Sequence, residues 1–492
     1  MRAPYGRPVQ FEELAGRALD TAKVRGAGYA DIRFEDGRAE RIEVRNGEVI
    51  SLRDDVGRGY GVRALVDGAW GFASCDDLSA AGVDATAARA VAIANASAAV
   101  GQKRFGEAPK DAQSGTFVTE VEIDPDQVSL EQRVDLLVAA EYALHVNPAV
   151  RTGRAVLDVW RTKKEFYSTI GSRIAQDIRQ IGSAIHALSV AEGDAQDRAW
   201  PGDRGLYMTG GWEVVARAGL IENAPRIGEE SVALLSAPQS PSGVTDIVLG
   251  GSQVSLQIHE SCGHAAELDR ALGWEANFSG TSFLEPDLRG KLQYGSPLVT
   301  IVIDNTLAGG LATCGWDDEG SPSGTSDIVR GGTFAGFEMS RDTARMVGSS
   351  TNACVRAESW QHVPMIRMCN LNLLPGEYTL DQMIEEVDDG IYMESNRSWS
   401  IDDKRLNFQF GCQVAWEIKR GKLGRMLKNP TYAGVTPQFW GSCDAIGEPT
   451  TWVPWGTPNC GKGEPMQVGR TTQAAAPARF RGVRVGVGYD GR

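Results

Sequence analysis

The stretch Ala237-Pro-Gln-Ser-Pro-Ser-Gly243 divides the chain into two regions of different periodicity, and this limits the folds open to it. Pro, Ser and Gly clustered between periodic segments read as a connection rather than an element. At 492 residues the chain is also too long for one ordinary core. We therefore expect a domain over 1–236, a linker over 237–243 and a second domain over 244–492.

The first region mixes helices with β-ribbons. Residues 11–25 have the pattern of an amphipathic helix. Short strand patterns follow at Ala30–Phe34, Arg38–Val44 and Gly47–Arg53, with a hairpin signal at Asn46-Gly47. A second hairpin over Gly59–Ala73 turns at Asp67-Gly68. Helices are predicted over 83–100, over 129–145 behind a Ser129-x-x-Gln132 capping box, and over 212–236. Residues 154–190 alternate like strands. The second region opens with a strand over Val244–Gly250 and a short helix from Ser252. It continues with strand patterns such as Leu298–Asp304, Ser359–Leu374 and Gly411–Lys419, and a short helix within Pro375–Asp389. The fold class is α+β, with a mixed α/β N-terminal part and a β-rich C-terminal part.

A net charge of −14 without a Lys/Arg run argues against a nucleic-acid partner, which needs a basic face. Met1 to Gln10 carries Arg2 and Arg7 but no apolar run, so no signal peptide is expected, and no apolar window is long enough for a membrane span. The eight Cys are scattered and form no Cys-x-x-Cys pair, which reads as free thiols in a reducing cytoplasm.

Two of only five His fall in one short segment, His259-Glu-Ser-Cys-Gly-His264. On a regular helix, residues five apart are rotated by roughly 140°, so the two imidazoles could not meet one ion. Either a π-type turn or a loosening at Gly263 must bring them together, and a distortion at Ser261–Gly263 is predicted. Catalytic zinc takes three protein ligands and keeps a fourth position for water. Glu260, beside the first His, is the natural base. A third ligand must come from elsewhere, and Glu267, Asp269, His362 and any of the Cys are candidates. Cys262 is expected to point away from the faces of His259 and His264.

The residues resemble the TldD half of the TldD/PmbA (TldD/TldE) family of zinc metallopeptidases. Four stretches carry the likeness: Gly59-x-Gly-Val-Arg63 with Gly71-Phe-Ala73; the His259–His264 segment followed by Glu267 and Asp269; Val363 to Asn370 with Leu374-Pro-Gly-Glu377 and Gly390-Ile-Tyr-Met-Glu394; and Cys460-Gly-Lys462 with Gln467-Val-Gly469. The resemblance implies Zn2+ held by His259, His264 and Cys460, with Glu260 as base. It also implies a barrel-like C-terminal domain and a dimer, formed with a second copy or with a TldE/PmbA-like subunit. The implied substrate is an unfolded or extended peptide, and the binding mode that physics suggests for one is β-addition, pairing with a free sheet edge. Two other functions stay open: a zinc hydrolase for a dedicated biosynthetic peptide or amide, and a non-proteolytic binding subunit with structural zinc. Pro458 and Gly461 suggest a turn presenting Cys460. The end of the chain, Thr472–Arg492, does not read as a tidy strand. His362 is a candidate substrate contact, although packing beside a strand explains it as well. The acidic clusters Asp317-Asp-Glu319 and Asp388-Asp389 read as solvated loops.

Overall fold

The computed structural model describes residues 11–101 and 106–486. The reading of Met1 to Gln10, and the last six residues of Thr472–Arg492, fall outside the described residues.

The first half is built on one sheet in the order Ala69–Cys75, Glu48–Val66, Tyr29–Arg45, Val150–Ser168, Arg173–Ala191, Ser114–Val118. Strands Asp194–Trp200 and Leu206–Thr209 also pair with Arg173–Ala191. Tyr29–Arg45 and Glu48–Val66 form one long ribbon, turning at Asn46 and Gly47 with φ of 49° and 79°. Asp67 and Gly68 make the next turn in the same way. The sequence suggested several short strands because each long strand serves two separate cores. Ala30, Ile32 and Phe34 pack with helices Phe11–Val24 and Ala80–Val100. Ile42 and Val44 pack with helices Leu130–Ala143 and Leu220–Ser236. Glu35 to Arg41 bridge the two, so the apolar pattern lapses while the strand continues.

The capping box at Ser129 and Gln132 forms as predicted. The helix expected over 212–236 is two helices, Trp212–Ala218 and Leu220–Ser236, because Gly219 takes the left-handed φ of 55° between them. Gly71 lets the helix Ala80–Val100 lie close to the sheet, since a Cβ there would fall 2.1 Å from the Ala90 carbonyl.

In the second half, five strands close into a barrel: Gly243–Leu249, Ala478–Val485, Thr431–Val435, Asn407–Lys419 and Asp389–Ile401, which returns to Gly243–Leu249. Closure leaves no open edge among these strands. An aromatic cluster of Phe408, Phe410, Tyr432, Phe439, Trp440 and Phe480 packs with it, Phe439 and Phe480 stacking at 4.1 Å between centroids. Two expectations are corrected here. Thr472–Arg492 contributes a full barrel strand, Ala478–Val485, in which Phe480, Val483 and Val485 supply the buried face. Ser359–Leu374 is not one strand. It holds the two short strands Met365–Ile366 and Leu371–Leu373, which belong to different sheets.

The cluster Asp317-Asp-Glu319 is buried rather than solvated, each residue being at most 4% exposed. It is a seam between the two halves. Asp318 meets Lys164 at 3.0 Å and Arg33 at 3.7 Å, and Glu319 meets Arg63 at 3.1 Å. Burial raises the Asp318 carboxyl, but Arg33 and Lys164 outweigh it and hold it at about 2. Asp317 faces backbone amides of Glu319, Ser321 and Val355 instead, and burial with the Glu319 charge pushes it up to about 7. Trp360 crosses the same seam and lies over Gly59, where a Cβ would come within 2.5 Å of the indole. Asp388 and Asp389 are exposed, as expected.

Removing one partner of a buried charge network costs about 3–5 kcal/mol. Asp318→Ala, which leaves Arg33 and Lys164 uncompensated, is expected to lower the thermal unfolding midpoint clearly. A midpoint within about 1 °C of wild type, where about 1 kcal/mol moves even a large domain by 2–4 °C, would contradict the seam.

Candidate active site

The helix Gly251–Ile258 follows the barrel strand Gly243–Leu249 and carries a buried polar row. Gln253, Gln257 and Ser261 recur every fourth residue, which aligns them on one face. All three are fully buried, and each makes a side-chain hydrogen bond. Gln253 Nε2 donates to Tyr432 Oη at 2.8 Å, and Tyr432 Oη donates to Gln257 Oε1 at 3.0 Å. Trp440 Nε1 donates to Ser261 Oγ at 3.0 Å. These bonds to the barrel and to the helix Thr436–Gly441 fix the rotation of the segment that follows.

After Ile258 the helix opens into a π turn over His259–Gly263, closed by the His264 N–H donating to the His259 carbonyl. The predicted distortion at Ser261–Gly263 lies within it. Gly263 is needed for room, not for conformation. Its φ is an ordinary −57°, but a Cβ would sit 2.4 Å from Met368 Sδ and Cε. The turn leaves the His259 and His264 rings with centroids 4.9 Å apart and planes at 89°. Cys262 points into the apolar core with no exposure, and burial raises its thiol well above the usual range.

Cys460 arrives on the ribbon formed by Val453–Lys462 and Gln467–Ala475. The expected turn at Pro458 and Gly461 is a β-bulge instead. The register slips between Thr457 and Cys460, which re-aims the side chain without ending the strand. The Cys460 carbonyl accepts from Arg367 Nη2 at 2.5 Å. Ligand atoms of His259, His264 and Cys460 lie within 4.8 Å of one another, with Sγ 3.6 Å from His264 Nε2.

Partners behind the rings set their orientation. His259 Nδ1 faces Gln473 Oε1 at 3.0 Å, and Gln473 Nε2 is spent on Met368 Sδ and Thr471 Oγ1. His264 Nδ1 faces Glu267 Oε2 at 3.1 Å. Both Nδ1–H groups therefore donate outward, which leaves each Nε2 lone pair free to ligate. Glu267 and Asp269 were candidate third ligands. Both stand behind the cluster instead, where the fully buried Lys462 ammonium lies 3.4 Å from Glu267 and 2.8 Å from Asp269. His362 is not among the clustered donors. Its Nδ1 pairs with Ser359 Oγ in its own turn, and its carbonyl accepts from Arg33 at the seam.

Glu260 is 5% exposed, and its Oε2 accepts from Arg405 Nη1 at 3.0 Å. Arg405 sits in the loop between two barrel strands with the left-handed φ of 63°, an unusual conformation for a large side chain. Burial raises the Glu260 carboxyl, but His259, His264, Arg405 and Arg204 outweigh it and hold it below the usual range. Burial lowers the His259 pKa and so favours the neutral ring. For Cys460 burial favours the thiol, but His264 and Arg367 prevail and lower its pKa. Neutral imidazole and thiolate are the forms that bind metal. Two nitrogens and one sulfur, converging beside a carboxylate, match a catalytic zinc donor set with one position left open. Arg405 and Gln473 carried no signal in the sequence, since neither lies in a recognisable spacing with the histidines.

Residues 242–486 match the PmbA/TldA metallopeptidase C-terminal domain, and residues 30–94 match PmbA/TldA metallopeptidase domain 1. A metalloprotease of Methanothermobacter thermautotrophicus is 28% identical, with 85% of this chain and 88% of that one covered. A metalloprotease TldD homolog of Haemophilus influenzae is 27% identical over 85% of this chain and 84% of its own. A zinc metalloprotease TldD homolog of Saccharolobus solfataricus is 21% identical, covering 85% of this chain and 88% of its own. The fold is shared with TldE from Thermococcus kodakarensis, at a TM-score of 0.72 and 14% identity over 96% of this chain and 100% of that one. It is shared also with a Thermotoga maritima protein described as a candidate modulator of DNA gyrase, at 0.77 and 18% over 97% and 100%. With both matched segments in their expected order and full-length relatives of one kind, the chain belongs to the PmbA/TldD family of metallopeptidases.

Proposed function

We propose that the protein hydrolyses peptide bonds in unfolded or extended peptides, with zinc held by His259, His264 and Cys460 and with Glu260 as general base. The observation that carries this reading is the convergence of three buried donors within 4.8 Å, directly beside a buried carboxylate. The Saccharolobus relative, described as a zinc metalloprotease, supports the choice of metal. Bound zinc supplies Lewis acidity, which polarises a carbonyl and lowers the pKa of water to about 7.

The chain's own residues do the rest. Gln473 and Glu267 hold the two imidazoles in the tautomer that presents Nε2. Arg405 fixes one oxygen of Glu260, and this sets the direction of the other. Glu260 takes the proton of the attacking water and passes it to the leaving amine. The thiolate of Cys460 donates more charge than a third imidazole would. The ribbon strand Val453–Lys462 has a single strand partner among the described residues, which suits an extended peptide laid along it by backbone pairing. Such binding reads backbone more than side chains, so sequence selectivity is low. The reading includes a second subunit, either another copy or a TldE/PmbA-like chain, and the fold shared with TldE supports it.

With an end-labelled unfolded peptide as substrate, Glu260→Gln is expected to lose about 10²–10⁴-fold in rate while keeping its zinc. Equal hydrolysis by variant and wild type would remove Glu260 from the mechanism. Cys460→Ala is expected to lose one zinc per chain together with hydrolysis, while the N-terminal sheet keeps its far-ultraviolet circular dichroism. Zinc at the wild-type level in that variant would refute the ligand set.

A further inference from the structure

Behind the wall of the catalytic centre lies a second convergence of ligand atoms. Glu338, Cys354 and Cys369 bring theirs within 4.8 Å of one another, and none of the three is more than 1% exposed. They come from three separate segments. Cys354 and Cys369 flank the paired strands Val355–Arg356 and Met365–Ile366, and Glu338 lies just before the helix Arg341–Met346. Glu338 Oε1 accepts the Cys369 N–H at 2.9 Å, but its Oε2 is buried with no hydrogen-bond partner. Asn305, fully buried, stands at the same place. Its Nδ2 donates to the Ala353 carbonyl at 3.0 Å, the carbonyl that Cys369 Sγ also approaches at 3.7 Å. Its Oδ1 has no partner either.

Buried thiols alone would need no explanation, because free Cys packs as a small apolar side chain. A buried carboxylate oxygen without a donor does need one, since such a group is costly and uncommon in folded proteins. A cation among the three side chains gives Oε2 its partner. Soft thiolates select zinc over magnesium or calcium, and full burial of all three ligands leaves no room for a substrate, so the site is of the structural kind. Arg356 and Lys462 bring positive charge beside the cluster, and Glu267 brings negative.

We propose that Glu338, Cys354 and Cys369 hold a second, structural zinc ion. The ion braces the catalytic segment from behind. The Glu338 backbone brackets Glu267, donating to the Ala266 carbonyl at 2.8 Å and accepting from the Leu268 amide at 3.1 Å. Cys369 follows Met368, the side chain against which Gly263 of the π turn rests. The inference stands on its own cluster and does not depend on the hydrolytic reading.

The test is zinc content of the full chain purified under reducing conditions. Two zinc ions per chain are expected in wild type, one in Cys460→Ala, and one in the double variant Cys354→Ser, Cys369→Ser. Should the double variant not fold, cobalt substitution of Cys460→Ala decides the question with Cys354 and Cys369 intact. Thiolate-to-cobalt charge-transfer absorption is expected to persist there, because the first site has lost its only sulfur. A single zinc per wild-type chain would overturn the proposal. So would loss of the cobalt band in folded Cys460→Ala, or a Cys354–Cys369 disulfide found by mass spectrometry in the reduced preparation.

Discussion

The hydrogen bond from the His264 amide to the His259 carbonyl spans five residues where a regular helix would span four. That one extra residue turns two imidazoles that would face apart into a pair at 4.9 Å. A π turn is less favourable than the helix around it, so something outside must hold it. Part of the hold is the buried row of Gln253, Gln257 and Ser261, locked to Tyr432 and Trp440 beside the barrel. The remainder is steric: Met368 occupies the space that any side chain at position 263 would need.

The site is therefore a product of the whole second half rather than of one segment. The barrel fixes the helix, the ribbon delivers Cys460 through a bulge, and Arg367 ties the ribbon backbone to the segment that carries Met368. Arg405 reaches Glu260 from a barrel loop held in a strained backbone conformation. The first half contributes by docking. Its Gly-rich ribbon clears Trp360, while Arg33, Arg63 and Lys164 neutralise the buried acids of the partner half.

Local features were readable in the sequence where a short-range rule governs them. Asn46-Gly47 and Asp67-Gly68 announced their turns, Ser129 and Gln132 their cap, and the five-residue His spacing its distorted turn. Features set by distant partners were not readable. Asp317 to Glu319 look like a solvated loop until Arg33, Arg63 and Lys164, more than 150 residues away, are seen beside them. Gly219 looks like one weak position in a helix, yet its left-handed backbone divides the helix in two. Cys460 could be singled out only by likeness to a family, because nothing within ten residues pairs it with a histidine. Gln473 and Arg405 were invisible for the same reason: their roles exist only once the chain has closed.

The central claim is that the π turn and the bulged ribbon together build one metal centre. Anomalous diffraction from crystals of the zinc-loaded protein, recorded above and below the zinc absorption edge, tests it most directly. The account predicts a strong peak between His259 Nε2, His264 Nε2 and Cys460 Sγ, within about 2.0–2.3 Å of each. Zinc-loaded crystals with no peak at that position, or with a peak bonded to the histidines but not to Cys460, would contradict it.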